Sequence, residues 1–212
     1  VSTERELFVS LDGPDGAGKS TQVARLVSWL RETGREVVTC RDPGGTPLGD
    51  RLRGILLDRH ETEPCVRAEM LLYMASRAQL VEAVIRPALD RGAIVVCDRY
   101  LLANVVYQGF ASGLAVEDVW RVGEVATGGL MPDLTIVLDL DPDIAASRVG
   151  RPRDRMEDRP REFQMRVREA YHQAAQSYRW PIVFQDASET IEVVAAAIRR
   201  EVEHALEHRP RS

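Results

Sequence analysis

The apolar run Leu7-Phe8-Val9-Ser10-Leu11 leads into Gly13-Pro14-Asp15-Gly16-Ala17-Gly18-Lys19-Ser20, which fits G-x-x-x-x-G-K-[ST] at every defined position and opens a predicted helix. These residue types at this spacing handle phosphate. The glycines let successive backbone N–H groups turn inward around anionic oxygens, and the helix N-terminus that follows adds the positive end of its dipole. Lys19 would reach the β- and γ-phosphates and the Ser20 hydroxyl would take one Mg²⁺ position. Residues Gly13, Pro14, Asp15, Gly16, Ala17, Gly18, Lys19, Ser20 and Thr21 are therefore expected to cradle a nucleoside triphosphate. Of 28 basic side chains, only Lys19 is a lysine. In a chain that otherwise uses arginine, one compact ammonium suggests a geometric demand that a planar guanidinium does not meet. The loop alone does not separate a kinase from a GTPase, an ATPase or an inert binder. A guanine-specific N-K-x-D is excluded, because no second lysine exists to build it.

The loop needs a frame. Short apolar runs at Leu7–Leu11, Val37–Cys40, Ile94–Cys97, Leu134–Leu140 and Ile182–Phe184 read as strands apolar on both faces. Amphipathic stretches at Thr21–Glu32, Ala68–Asp90, Val116–Thr127, Arg161–Tyr178 and Thr190–Leu206 read as helices. Such alternation predicts an α/β chain with a mostly parallel sheet covered on both sides. With 212 residues, no repeat and no linker-like segment, one domain over residues 1–212 is expected, with a frayed tail at His208–Ser212.

Further motifs lie at the ends of these elements. They are Arg41-Asp42-Pro43-Gly44-Gly45-Thr46-Pro47-Leu48, Tyr73-Met74-Ala75-Ser76-Arg77-Ala78-Gln79, Asp98-Arg99-Tyr100 with Tyr107-Gln108-Gly109, Pro132-Asp133-Leu134, and Asp154-Arg155-Met156-Glu157. Asp98-Arg99 falls at the carboxyl end of a predicted strand, where parallel sheets bind ligands, although a surface ion pair would also fit. Tyr73 and Arg77 stand one helical turn apart and project from one face. Together with the phosphate loop, and in this order from about Phe8 to about Ile198, the set resembles the thymidylate kinase family.

The resemblance implies a P-loop NTPase-type three-layer fold: a five-stranded parallel sheet, helices on both faces and a mobile lid at about residues 148–160. It implies Mg-ATP as donor, dTMP as acceptor and a homodimer. On the matching positions, Arg99 would hold the acceptor phosphate and Asp98 would help organise the Mg²⁺ shell, partly through water. Arg77 would contact the acceptor nucleotide, and Tyr73, where the family usually has phenylalanine, would stack on a pyrimidine or serve as a core aromatic. Asp15 would meet the deoxyribose 3′-hydroxyl and Tyr107 would crowd the place of a 2′-hydroxyl. Asn104 and Gln108 would sit near base and sugar, or take a helix-surface or turn role. The turn Asp186-Ala187-Ser188 would lie beside adenine, with Ala187 contributing backbone groups and Ser188 equally able to cap the following helix. Two positions depart from the family pattern: Asp42 replaces a common glutamate and Ala103 a serine.

The segment Arg148–Arg168 holds eight arginines against four acids. Some thymidylate kinases carry the arginine that stabilises the transferred phosphoryl group in the P-loop and others in the lid. The P-loop position here is Gly16, so Arg151, Arg153 and Arg155 become the expected source, with Arg153 and Arg155 foremost; a solvated charge run is the alternative.

Composition narrows the class. A net charge of −5 and a pI near 5.5 argue against a nucleic-acid coat or a membrane-surface protein. Cys40, Cys65 and Cys97 lack metal or disulfide spacing, and the start of the chain reads as neither signal nor span, so a cytoplasmic protein is expected. The reading is transfer of the ATP γ-phosphoryl group to dTMP. Kinases of UMP or dCMP, a nucleotide-binding regulator and an RNA-binding module remain as rivals.

Overall fold

A computed structural model describes residues 6–58, 63–148, 154–177 and 180–208. Strands β1 (Phe8–Asp12), β2 (Val37–Arg41), β3 (Ile94–Asp98), β4 (Leu134–Asp139) and β5 (Ile182–Asp186) form a parallel sheet in the order β2-β3-β1-β4-β5. The helices are α1 (Lys19–Glu32), α2 (Pro47–Leu57), α3 (Val66–Leu80), α4 (Arg86–Asp90), α5 (Leu101–Asn104), α6 (Val116–Thr127), α7 (Pro142–Arg148), α8 (Arg161–Ser177) and α9 (Ile191–Glu207).

Burial follows the period of the strands. In and just before β1, Leu7, Val9 and Leu11 face one core with α1 and α9, whereas Phe8 faces the other with α3, α5 and α8. The central strands are buried, as apolar runs on both faces require, except where β3 and β4 end on the half-buried Asp98 and Asp139. The edge strands depart from that expectation. β2 exposes Thr39 and Arg41, and no residue of β5 is fully buried, because one flank of each meets no neighbour.

Other differences have local causes. The expected helix Ala68–Asp90 is α3, a π-helical turn at Val81–Ile85, and α4. Pro87 cannot donate a helical hydrogen bond and its ring crowds the preceding turn, so the ladder widens ahead of it. Helix α2 was not among the expected elements, though Thr46 caps it, its Oγ1 accepting the Gly49 amide at 2.9 Å, with Pro47 in the first turn. Helix α9 is capped by Thr190, whose side chain accepts the Val193 amide at 3.3 Å, so the cap expected of Ser188 belongs to Thr190 instead. Of the expected lid, residues 149–153 and with them Arg151 and Arg153 lie outside the described residues, as do Tyr178 and residues 209–212.

The sheet positions the site through its last hydrogen bonds. Beyond the strand ends the Arg99 amide bonds to Leu11 O at 2.9 Å, Asp42 to Asp98 O at 3.0 Å, and Ala187 to Asp139 O at 2.9 Å. The phosphate loop is wedged against neighbouring backbone. A Cβ at Gly13 would lie 2.4 Å from Leu138 O, and one at Gly16 would lie 2.4 Å from Ala145 O of α7. Gly16 also has φ +82°, a left-handed conformation that costs any other residue about 1–2 kcal/mol. An arginine cannot stand here without moving α7, which explains on steric grounds why this loop lacks one.

Gly16→Ala combines backbone strain with overlap and should cost about 2–4 kcal/mol. Gly34 shares the conformation at φ +81° but has nothing within 4 Å of its would-be Cβ, so Gly34→Ala isolates the strain. Calorimetry should find a distinctly lower Tm for the Gly16 variant; equal melting would refute the wedge.

Candidate active site

The phosphate loop bridges β1 and α1. Gly18, at φ 85°, begins the helix with no side-chain cap, and the first turn holds no acid, so nothing anionic competes for its positive end. Lys19 folds back over the loop, its Nζ donating to Pro14 O at 2.8 Å and Gly13 O at 3.1 Å and lying 3.8 Å from Asp15 Oδ1. Burial lowers its pKa, with the Arg99 charge adding to the effect. Ser20 Oγ donates to Asp98 Oδ2 at 2.9 Å, so the hydroxyl and carboxylate expected beside Mg²⁺ stand together. No cluster of three metal-ligating side chains exists among the described residues.

Arg99 ends the strand next to β1, and among the described residues it is the one non-glycine residue with positive φ, at 69°. Such backbone strain persists where surrounding contacts over-determine it. Its Nη2 donates to Asp15 Oδ1 at 2.5 Å, its Nη1 donates to Gly13 O at 2.8 Å and to the Tyr171 hydroxyl at 3.2 Å, and its guanidinium lies 5.4 Å from the Tyr107 ring centre. Burial alone would raise the Asp15 pKa, but Arg99 and Lys19 outweigh it and bring the group down to about 2. Asp12, the neighbour without an arginine bonded to it, goes the other way. Desolvation pushes it up to about 6 against the pull of Arg99 and Lys19.

Two clefts meet at this pair. The smaller, about 530 Å³ in extent, is lined by Tyr73, Arg77, Ala103, Asn104, Tyr107, Gln108 and Met156. The larger, about 1880 Å³, runs along Gly16–Gln22 to Ala187 and Val194. Asp15, Asp42, Arg53, Arg99 and Asp154 line both. These five side chains form the boundary that the two clefts share.

The acceptor-side residues arrive as a unit. Arg77 is 1% exposed; its Nε donates to Asp42 Oδ2 at 2.5 Å, its Nη2 donates to Tyr100 O at 3.3 Å, and its guanidinium lies 5.5 Å from the Tyr100 ring centre. Desolvation raises the Asp42 pKa against the opposing Arg77 charge. Tyr73 stands outside the two core clusters and lines the cleft, which removes the core-aromatic alternative. The Tyr107 hydroxyl lies 3.5 Å from Asp15 Oδ2. Asn104 and Gln108 are buried in the cleft wall, so neither takes the helix-surface role; the segment from Leu101 to Ala111 coils as α5 and a π-helical stretch that turns both inward.

Two of the expected residues are engaged by other parts of the protein. Arg155 is buried, lines neither cleft, and gives its guanidinium to Glu69 and, at 2.9 Å, to Leu56 O. Ala187 lines the larger cleft, but its amide is bonded to Asp139 O and its carbonyl to Arg148 Nη1 at 2.7 Å. Asp154 caps its own turn, Oδ1 accepting the amides of Met156 and Glu157, each at 2.9 Å.

Four contributors escaped sequence reasoning: Asp12, Arg53, Arg148 and Tyr171. Asp12 adjoins the motif and could have been read from it. Arg53 required recognition of α2, whose Thr-Pro start was legible. Tyr171 and Arg148 reach the site only through the packing of α8 and α7.

Comparison with known proteins agrees with this arrangement. The family described as Thymidylate kinase matches residues 11–198. Curated relatives named "Thymidylate kinase" include those of Symbiobacterium thermophilum, 44% identical over 96% of this chain and 95% of its own, and Leifsonia xyli, 49% identical over 94% and 96%. The protein of the same name from Deinococcus radiodurans is 50% identical over 78% of this chain and 81% of its own. A strand-loop-helix phosphate cradle joined by one strained arginine to a second cleft, and a family match over nearly its whole length, place this chain in the thymidylate kinase family.

Proposed function

We propose that the chain performs its family's reaction with the division of labour its two clefts suggest. ATP occupies the larger and dTMP the smaller, and an oxygen of the dTMP 5′-phosphate attacks the γ-phosphorus in line while the bond to the β,γ-bridging oxygen breaks, giving dTDP and ADP. The observation that carries this reading is the set of charged residues shared by the clefts, Arg53 and Arg99 above all. The acceptor is already anionic, so positioning and charge neutralisation suffice and no strong base is needed.

Lys19 exchanges its loop carbonyls for β- and γ-phosphate oxygens. Arg99 and Arg53 hold the acceptor phosphate, Asp15 and Tyr107 face the sugar, and Tyr73 and Arg77 meet the base. Ser20 and Asp98 would hold Mg²⁺, which when bound neutralises charge on the phosphates. Ala187 supports the adenine side through apolar contact. Arg153 is the proposed guanidinium on the phosphoryl group in flight; Arg155, seated on Glu69, anchors the segment that carries it. A homodimer fits the exposed apolar side chains Ile55 of α2, Leu71 of α3 and Val125 of α6, which are 46%, 50% and 84% exposed on helices packed side by side. A cytoplasmic location fits the three free cysteines and the intracellular substrates.

The direct test is ADP release across nucleoside monophosphates. Release that requires dTMP supports the reading, and equal use of UMP and dTMP would exclude the sugar discrimination assigned to Asp15 and Tyr107. Lys19→Ala should fold and lose about a hundredfold or more in kcat; near-normal turnover would exclude the phosphate-loop assignment. Arg53→Ala should chiefly raise KM for dTMP, by about tenfold or more, leaving KM for ATP near its starting value. Arg153→Ala should lower kcat by about a hundredfold, whereas Arg155→Ala should act mainly on stability and dTMP affinity. The opposite pattern would return the catalytic role to Arg155.

A further inference from the structure

Behind the smaller cleft lies a buried carboxylate that touches no part of its surface. Glu69 of α3 is 1% exposed, and both of its oxygens are engaged. Oε2 accepts the guanidinium of Arg155, and Oε1 accepts Gln108 Nε2 at 2.7 Å. A carboxylate offers only acceptors, so the amide edge of Gln108 that faces it must be the NH₂. The Gln108 carbonyl is thereby turned to Asn104, whose Nδ2 donates to Gln108 Oε1 at 2.7 Å. One atom of the relay is left over. Asn104 Oδ1 is buried, belongs to a residue 2% exposed that lines the cleft, and has no hydrogen-bond partner.

An unpaired buried acceptor is costly, and a ligand donor can relieve it. Asparagine could equally present its NH₂ here, because its side chain reverses at little cost. What prevents the reversal is the chain of fixed senses that begins at Glu69.

We infer that Glu69 is a specificity-determining positioning residue: through Gln108 it locks Asn104 with its carbonyl available to the cleft, selecting acceptor bases that present a ring N–H. Thymine and uracil carry a hydrogen on N3, whereas cytosine has a lone pair there and would meet an acceptor with an acceptor. The inference rests on the reading of the smaller cleft as the dTMP site. Arg155 holds the second carboxylate oxygen, so the carboxylate cannot rotate to release Gln108.

The test is Glu69→Gln, which retains size but can face Gln108 with either a donor or an acceptor. Gln108 and then Asn104 become free to reverse. The kcat/KM preference for dTMP over dCMP should fall by about tenfold or more. The preference for dTMP over dUMP should stay where it was, because uracil presents the same N3–H, and KM for ATP should not move. An unchanged dTMP/dCMP ratio in the folded variant overturns the inference, and so does a parallel loss in both ratios, which would mean general damage to the cleft. Should Glu69→Gln lose cooperative thermal unfolding, Gln108→Met cuts the relay one link later. It carries the same expectation, and an unchanged dTMP/dCMP ratio there is equally fatal. Wild-type protein that uses dCMP as well as dTMP overturns the inference while leaving the kinase standing; wild-type protein that ignores dTMP overturns the proposed function itself.

Discussion

Asp15 and Arg99 leave the ends of two neighbouring parallel strands, β1 and β3, and their ion pair spans the gap between the loops that follow. Its geometry is set by backbone first. The register aligns Leu11 with Asp98, the next ladder bond runs from the Arg99 amide to Leu11 O, and the chain then turns through φ 69°. In an ordinary extended conformation the Arg99 side chain would leave the strand in another direction. The left-handed turn is costly for arginine and is held by the bonds its guanidinium makes to Gly13 O, Asp15 and Tyr171. Parallel pairing thus brings phosphate loop and acceptor arginine together, and the strain fixes the direction of that arginine.

From this junction the electrostatics divide. At Asp15 the bonded Arg99 and the Lys19 charge outweigh burial and hold the carboxylate near 2; where desolvation dominates the pKa rises, to about 6 at Asp12 and upward also at Asp42 despite its bond to Arg77. Lys19, crowded by burial and Arg99, gains from any phosphate that replaces its carbonyl partners. Cationic groups clustered ahead of a polyanionic ligand form a pre-organised field, and such a field neutralises charge without reorganising at the moment of transfer.

The smaller cleft adds buried polar relays to the charged residues it shares with the larger. Arg77 is fixed by Asp42 and the Tyr100 carbonyl; Asn104 and Gln108 are fixed from Glu69. The Asn104–Gln108 relay is closed behind the cleft by Glu69, whereas Asp42, the partner of Arg77, itself lines both clefts. A low-dielectric surrounding strengthens each link and raises the cost of leaving one unmade, which gives such a wall a defined hydrogen-bonding sense.

Much of this was legible in the residues alone. The phosphate loop carries its own signal because backbone torsion, helix dipole and side-chain chemistry act within eight consecutive residues, and the strand-helix alternation follows from apolar periodicity. Tyr73 and Arg77 share a face because four residues make about one helical turn. The strand order, by contrast, depends on which crossovers pack, and the roles of Arg53, Tyr171 and Arg148 depend on where α2, α8 and α7 come to lie. Arg155 marks the boundary most clearly. Its place in an arginine-rich run suggested a phosphate partner, yet it is buried on a carboxylate 86 positions away. Charge is a property of the residue and can be read from its type. Which opposite charge it meets is decided by packing across the chain, and no local spacing encodes that.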